Sequence, residues 1–149
     1  MITTNQIVDA INRLLVEKYP ERTVYVNRCP EKFERPSFLI ESVKTSGDSA
    51  SRKTVKQNAY FTITCFEPVN KFGNSDDGKL LDVQDAIMNL FRQGYVKVDD
   101  RALAVNASTG GSDFDRSYVD LQLEYYDDRS DEAGNTPLMG DVELKLKEE

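Results

Sequence analysis

The chain has 149 residues, 39% hydrophobic and 30% charged, and a formal net charge of −7 with no histidine. A single domain of that length buries roughly 68–70% of its unfolded-chain surface, enough for a real core. The acidic balance argues against broad nucleic-acid or anionic-membrane binding, which needs clustered Lys and Arg, and the missing histidines exclude Ser-His and Cys-His nucleophile pairs and every His-ligated metal site.

The first predicted element is a helix from about Thr4 to Tyr19. Thr3 and Gln6 have capping-box spacing. Ile7, Ala10, Ile11, Leu14 and Leu15 recur at helical intervals on one face, and Pro20 stops the run. The opposite side is polar, so this helix is expected to lie on a sheet with one side in water. The polar residues Asp9, Asn12 and Arg13 interrupt any apolar leader, so no targeting segment is read there. The longest apolar run, Ala102 to Val105, is far too short to span a membrane.

Thr23 to Val26 is a short β-branched and aromatic strand. Asn27 to Arg35 reads as a loop, and Ser37 to Lys44 as the next strand, opened by Pro36, which can begin a strand but not continue one. Phe38 and Ile40 point to one face of it, Leu39 and Val43 to the other. Thr45 to Gln57 is polar and reads as a long hairpin connection or protruding arm. Asn58 to Phe66 follows as a strand, with Ala59, Phe61, Ile63 and Cys65 alternating against Tyr60, Thr62, Thr64 and Phe66. Pro68 ends it, and Lys71 to Gly78 is turn-rich.

A second helix is predicted from about Asp77 to Gln93. Its buried stripe is Leu80, Val83, Ile87 and Leu90, with Ala86 and Phe91 beside it. Arg92 complements the helix dipole, and Gly94 is placed as a left-handed cap. Tyr95 to Val98 and Ala102 to Ala107 are strand material around an Asp99-Asp100 turn, and Ser108 to Phe114 reads as a hairpin loop. Ser117 to Asp127 alternates cleanly, and its polar face implies that one side of the sheet meets water or a partner. Residues 129–149 are expected to form an acidic linker and a last strand, Asp141 to Lys147, separate from a domain over residues 1–128. The order of elements predicts an α+β fold, with an antiparallel or mixed sheet and two helices packed on one face.

Chemistry is scarce. Cys29 and Cys65 belong to no C-x-x-C pattern and read as free thiols of a reducing compartment. Thr109 to Ser112 lacks the Lys and the strand-to-helix setting of a phosphate loop. The carboxylate pairs Asp76-Asp77, Asp99-Asp100 and Asp127-Asp128, with Asp113 and Asp115, would serve Mg²⁺ or acid–base work if buried together. They fall in predicted turns and helix starts, where Asp caps backbone N–H groups, so no cofactor and no metal is expected. Arg52, Lys53 and Lys56 make a local basic patch, either a partner contact or a solvated hairpin tip. Val142, Leu144 and Leu146 alternate strictly with charged residues. That strand either folds back on its own sheet or adds to the sheet edge of a neighbouring subunit.

One segment order goes further. A helix ending in Tyr19-Pro20, then Val24-Tyr25, then Phe33-x-Arg35-Pro36-Ser37-Phe38-x-Ile40-Glu41, then Tyr60-x-x-x-x-Cys65-Phe66 resembles the phage tail terminator family of prophages in Gram-positive bacteria. The resemblance covers Asn5 to about Tyr126. It implies a structural virion protein without an active site, made in the bacterial host cytoplasm and incorporated in the tail. Such subunits assemble into a ring, commonly a hexamer, that caps the tail tube. The implied partners are other copies of itself, the major tail tube protein and the head-completion protein. DNA passes through the lumen without specific binding, and no membrane is involved. Arg35 is the one member of its segment with a charge available to a partner. Competing readings are another head–tail connector or tube component, a non-viral α+β binding module, and an enzyme using the Asp pairs.

Overall fold

A computed structural model describes residues 2–128. Helix α1 spans Thr4–Lys18, strand β1 Thr23–Val26, β2 Ser37–Ser49, β3 Thr54–Phe66, helix α2 Asp77–Leu90, β4 Tyr95–Val98, β5 Arg101–Ser112 and β6 Arg116–Asp128. The strands form one mixed sheet in the order β1-β2-β3-β6-β5-β4. β1 runs parallel to β2, and every other pairing is antiparallel.

Both helices form where the sequence signals start and stop. In α1 the Thr3 side chain accepts from the Gln6 backbone N–H while the Gln6 side chain accepts from the Thr3 N–H, a complete capping box. In α2 the Asp76 side chain accepts from Gly78 N at 2.8 Å. The chain leaves α2 through Gly94 at φ +88°, the left-handed geometry that a glycine adopts without a Cβ penalty. The left-handed geometry expected at Gly94 is present, but it closes the turn after the helix rather than capping it, because α2 ends at Leu90 with Phe91 as its C-cap.

The two helices pack on the same face. Ile7, Ile11 and Leu15 of α1 and Val83 and Ile87 of α2 join one buried cluster with Phe38, Ile40, Ala59, Phe61, Ile63, Val119, Leu121 and Leu123. The alternation read from β3 and β6 supplies that face directly, because Ala59 pairs with Leu123, Phe61 with Leu121 and Ile63 with Val119. Burying a side chain of this size contributes about 1.5–3 kcal/mol.

Two predicted loops are strands instead. The polar run Thr45 to Gln57 is an extension of β2 and β3, paired from Thr45 with Ala59 to Ser49 with Val55. Only residues 50–53 turn. Likewise Ser108 to Ser112 continues β5, and the turn is confined to residues 113–115. Neither segment has an apolar alternation: Ser108 to Ser112 meets α2 through the polar Gln84 amide, which donates to Gly111 O, and β6 supplies the ladder, pairing with β3 out to Thr54 and with β5 out to Ser112. Gly110 lies in the irregularity between Thr109 and Ser112, where a Cβ would stand 2.8 Å from Asp120 Oδ2 and 3.0 Å from Tyr118 Cβ, so the Asp120 carboxylate would have to shift. Val43 is set apart by an irregularity between Ser42 and Lys44 and is 58% exposed, whereas Leu39 is buried. The expected linker and late strand over 129–149 lie outside the described residues.

Candidate assembly surfaces

Residues Arg35, Phe66, Glu67 and Asp115 meet at one end of the sheet. Arg35 precedes a cis-Pro36. Its guanidinium donates to Glu67 O at 3.0 Å and to Asp115 Oδ2 at 2.5 Å, and it stacks 4.7 Å from the Phe33 ring. Arg116 reaches the other Asp115 oxygen at 2.8 Å and covers Phe66 from 4.7 Å. The Asp115 carboxyl is held well below the usual range, at about 2, by its hydrogen bond from Arg116 first and that from Arg35 next, against the cost of burial. Arg35 is thus paired within its own subunit, with Glu67 O, Asp115 O and Asp115 Oδ2 as its acceptors. Next to this cluster Arg22 donates to Glu67 Oε2 at 2.7 Å, with side chains 13% and 5% exposed, and lies over Tyr19 at 4.5 Å.

At the opposite end, β2, β3 and β6 run beyond β1 as a three-stranded blade, with Arg101 of β5 still reaching Asp127 and the Tyr126 carbonyl of β6. β1 pairs with β2 only as far as Ile40, and β5 pairs with β6 only as far as Ala104 with Glu124. Arg52 and Lys53 sit exposed in the 50–53 turn. Lys56 pairs with Glu124 at 3.0 Å across exposed strand surface, and Lys44 lies 4.9 Å from the Tyr60 ring. The basic patch is thus divided, with Arg52 and Lys53 at the tip and Lys56 tied to β6. Val142, Leu144 and Leu146 lie outside the described residues.

The sheet face away from the helices is polar and ordered. Thr62 donates to Asp120 Oδ1 at 2.9 Å, and Tyr118 donates to Asp113 Oδ2 at 2.7 Å. Three of the other carboxylates read as candidate chemistry have structural work. Asp76 caps α2, and Asp99 turns the chain at φ +59°. Asp127 is buried and accepts from Ile2 N at 3.1 Å and from Arg101 at 2.6 Å. Among the described residues no three His, Cys, Asp or Glu side chains are grouped to hold a metal, and no helix is long and apolar enough to cross a membrane. Cys29 and Cys65 are free thiols, and burial pushes Cys65 up to about 12.

Sequence reasoning missed two further features. Glu67, next to Pro68, is buried as the acceptor for Arg22, which only the three-dimensional proximity of residues 45 positions apart reveals. Phe72 and Phe114 are 75% and 78% exposed, on loops that Ser75 N and Phe114 O join at 2.8 Å. An aromatic in a turn-rich segment was the available signal, since nothing in such a segment packs it into a core.

A family model described as phage tail terminator protein matches residues 6–135. No curated protein matches the chain.

Proposed function

The chain belongs to the phage tail terminator family, a structural family of the virion tail, and on that premise we propose that it caps the tail tube and joins tail to head. The observation that carries the proposal is the family match across residues 6–135. In this reading copies of the chain close into a ring, a hexamer, on the last ring of the major tail tube protein. The cap stops further polymerisation, and its outer face receives the head-completion protein. The subunit is made in the host cytoplasm and ends in the virion.

The physical layout supports this reading. The domain binds its own charges tightly at one end and presents a solvated blade, a polar sheet face and two exposed aromatics elsewhere, which suits a part whose work is contact. A net charge of −7 per subunit makes a ring strongly acidic. Carboxylates facing the lumen repel phosphate and let DNA slide rather than bind. The purified protein is therefore expected to show no measurable duplex-DNA affinity near physiological salt. A tight, salt-sensitive gel shift would contradict that part of the proposal.

The direct test adds purified protein to polymerising tail tube subunits and measures tube lengths by electron microscopy. Substoichiometric protein should shorten the tubes and appear at one end of each. Tubes of unchanged length with bare ends would overturn the capping role.

A further inference from the structure

We propose that the outer edge of the blade, β2 from Val43 to Asp48, receives residues 142–147 of a neighbouring copy as an added parallel strand; this rests on the subunit-assembly reading above. β1 covers that edge only at Ser37–Ile40. Beyond Ile40 no described strand lies beside β2, while its inner side stays paired with β3. A strand edge of this kind is a template for another chain, which gains affinity through the backbone and specificity through alternate side chains.

The chemistry of the edge selects the occupant. Lys44, Ser46 and Asp48 share the polar face with Tyr60, Asn58 and Lys56, and Thr45 and Gly47 share the helix-side face with Ala59 and Gln57. Gly47 is a close approach there: a Cβ would stand 3.1 Å from Gln57 Oε1 and 3.2 Å from Val55 Cγ1, so those two side chains already cover it. Val142, Leu144 and Leu146 alternate with Glu143, Lys145 and Lys147. A parallel register places Glu143 beside Lys44 and Lys147 beside Asp48. The same register sets Leu144 and Leu146 beside Thr45 and Gly47, on the helix-side face. Running the segment antiparallel over the same residues instead sets Lys147 beside Lys44 and Glu143 beside Asp48, and like charges side by side are destabilising. The favoured direction is also the one β1 already takes on this edge.

Chain geometry favours a neighbour as donor. β6 ends at Asp128 beside Thr54, and Lys44 is level with Gln122 through Tyr60. To enter its own edge in parallel, a chain must go back about 20 Å along the strands and about 14 Å across three strand spacings. The twelve residues 129–140 reach about 40 Å, so distance alone permits it. Yet the path is a parallel crossover, which is usually built on a helix, and this run holds Gly134, Pro137 and Gly140. The segment also lies beyond the family match, which ends at 135.

The test is a cross-link that only two copies can make. Full-length chains are co-expressed in a Cys29→Ser background, one carrying Ser46→Cys and the other Lys145→Cys; Cys65, buried and with its thiol pushed up to about 12, stays unreactive. Mild oxidation should give a disulfide-linked heterodimer. Lys44→Glu in the first chain should cut its yield several-fold, and Glu143→Lys in the second should restore it. Absence of the heterodimer overturns the inference, as does a chain bearing both cysteines that closes only within itself. Light scattering on the uncross-linked protein separates the two failures. An oligomer without the cross-link sinks this inference alone; a monomer without it sinks the assembly reading as well.

Discussion

At the Phe66 end of the β2–β3–β6 triplet, Arg22, Arg35 and Arg116 are held between Glu67, Asp115 and aromatic rings, with Glu67 side-chain exposure down to 5%. At the Thr54 end of the same strands, Arg52 and Lys53 stand in solvent and the Lys56–Glu124 pair is exposed, while Asp127 beside Val55 is buried and paired with Arg101 at 2.6 Å. Charge is thus spent on the fold at the Phe66 end and, apart from the Arg101–Asp127 pair, left on the surface at the other. Buried pairs are strongly coupled to folding, because removing one partner strands the other. Surface pairs contribute about 0–1 kcal/mol and are free to be retuned for contact.

Mutations at the two ends should therefore separate cleanly. Glu67→Ala leaves Arg22 buried without its acceptor and should destabilise the subunit by about 3–5 kcal/mol in urea unfolding. A loss under 1 kcal/mol would erase the distinction between the ends. Gln84→Ala sharpens the comparison on the side of α2. Its amide donates to Gly111 O at 3.1 Å and to Tyr118 O at 2.8 Å, and the change should cost about 1–3 kcal/mol by leaving those carbonyls unmatched.

Acid should loosen the Phe66 end before it touches the tip. The Asp115 pKa is lower in the folded chain, at about 2, than in the unfolded one, about 3.9. Its stabilisation is therefore complete above pH ~4 and disappears as pH falls toward 2. Asp115→Asn should flatten that part of the stability–pH curve, and an unchanged curve would remove Asp115 from the account. The smallest effect belongs to the tip. Arg52→Glu with Lys53→Glu should shift stability by no more than about 0.5 kcal/mol, while any role in contact should appear in the mass of the assembly. A large loss of stability would show that the tip, too, belongs to the fold.

The same contrast explains what was legible from residues alone. The capping box at Thr3 and Gln6, the strand Thr23–Val26, the left-handed turn at Gly94 and the alternations of β3 and β6 all carry their signal locally. The blade does not. Thr45 to Gln57 looks like a loop because it packs no helix, and it becomes strand through a ladder shared with β6, some 70 residues away in sequence. The pairing of Arg35 is not legible for the same reason, since its acceptor Asp115 lies 80 positions on. The family order was readable from Tyr19-Pro20 through Cys65-Phe66, and the match over 6–135 agrees with it. Local signals survive in one sequence, and pairings made by topology do not.

If this subunit ends tail growth, as proposed, electron microscopy of particles produced by a phage lacking it will show over-long tails without attached heads, corrected when the intact chain is supplied in trans. Tails of normal length joined to heads would contradict it.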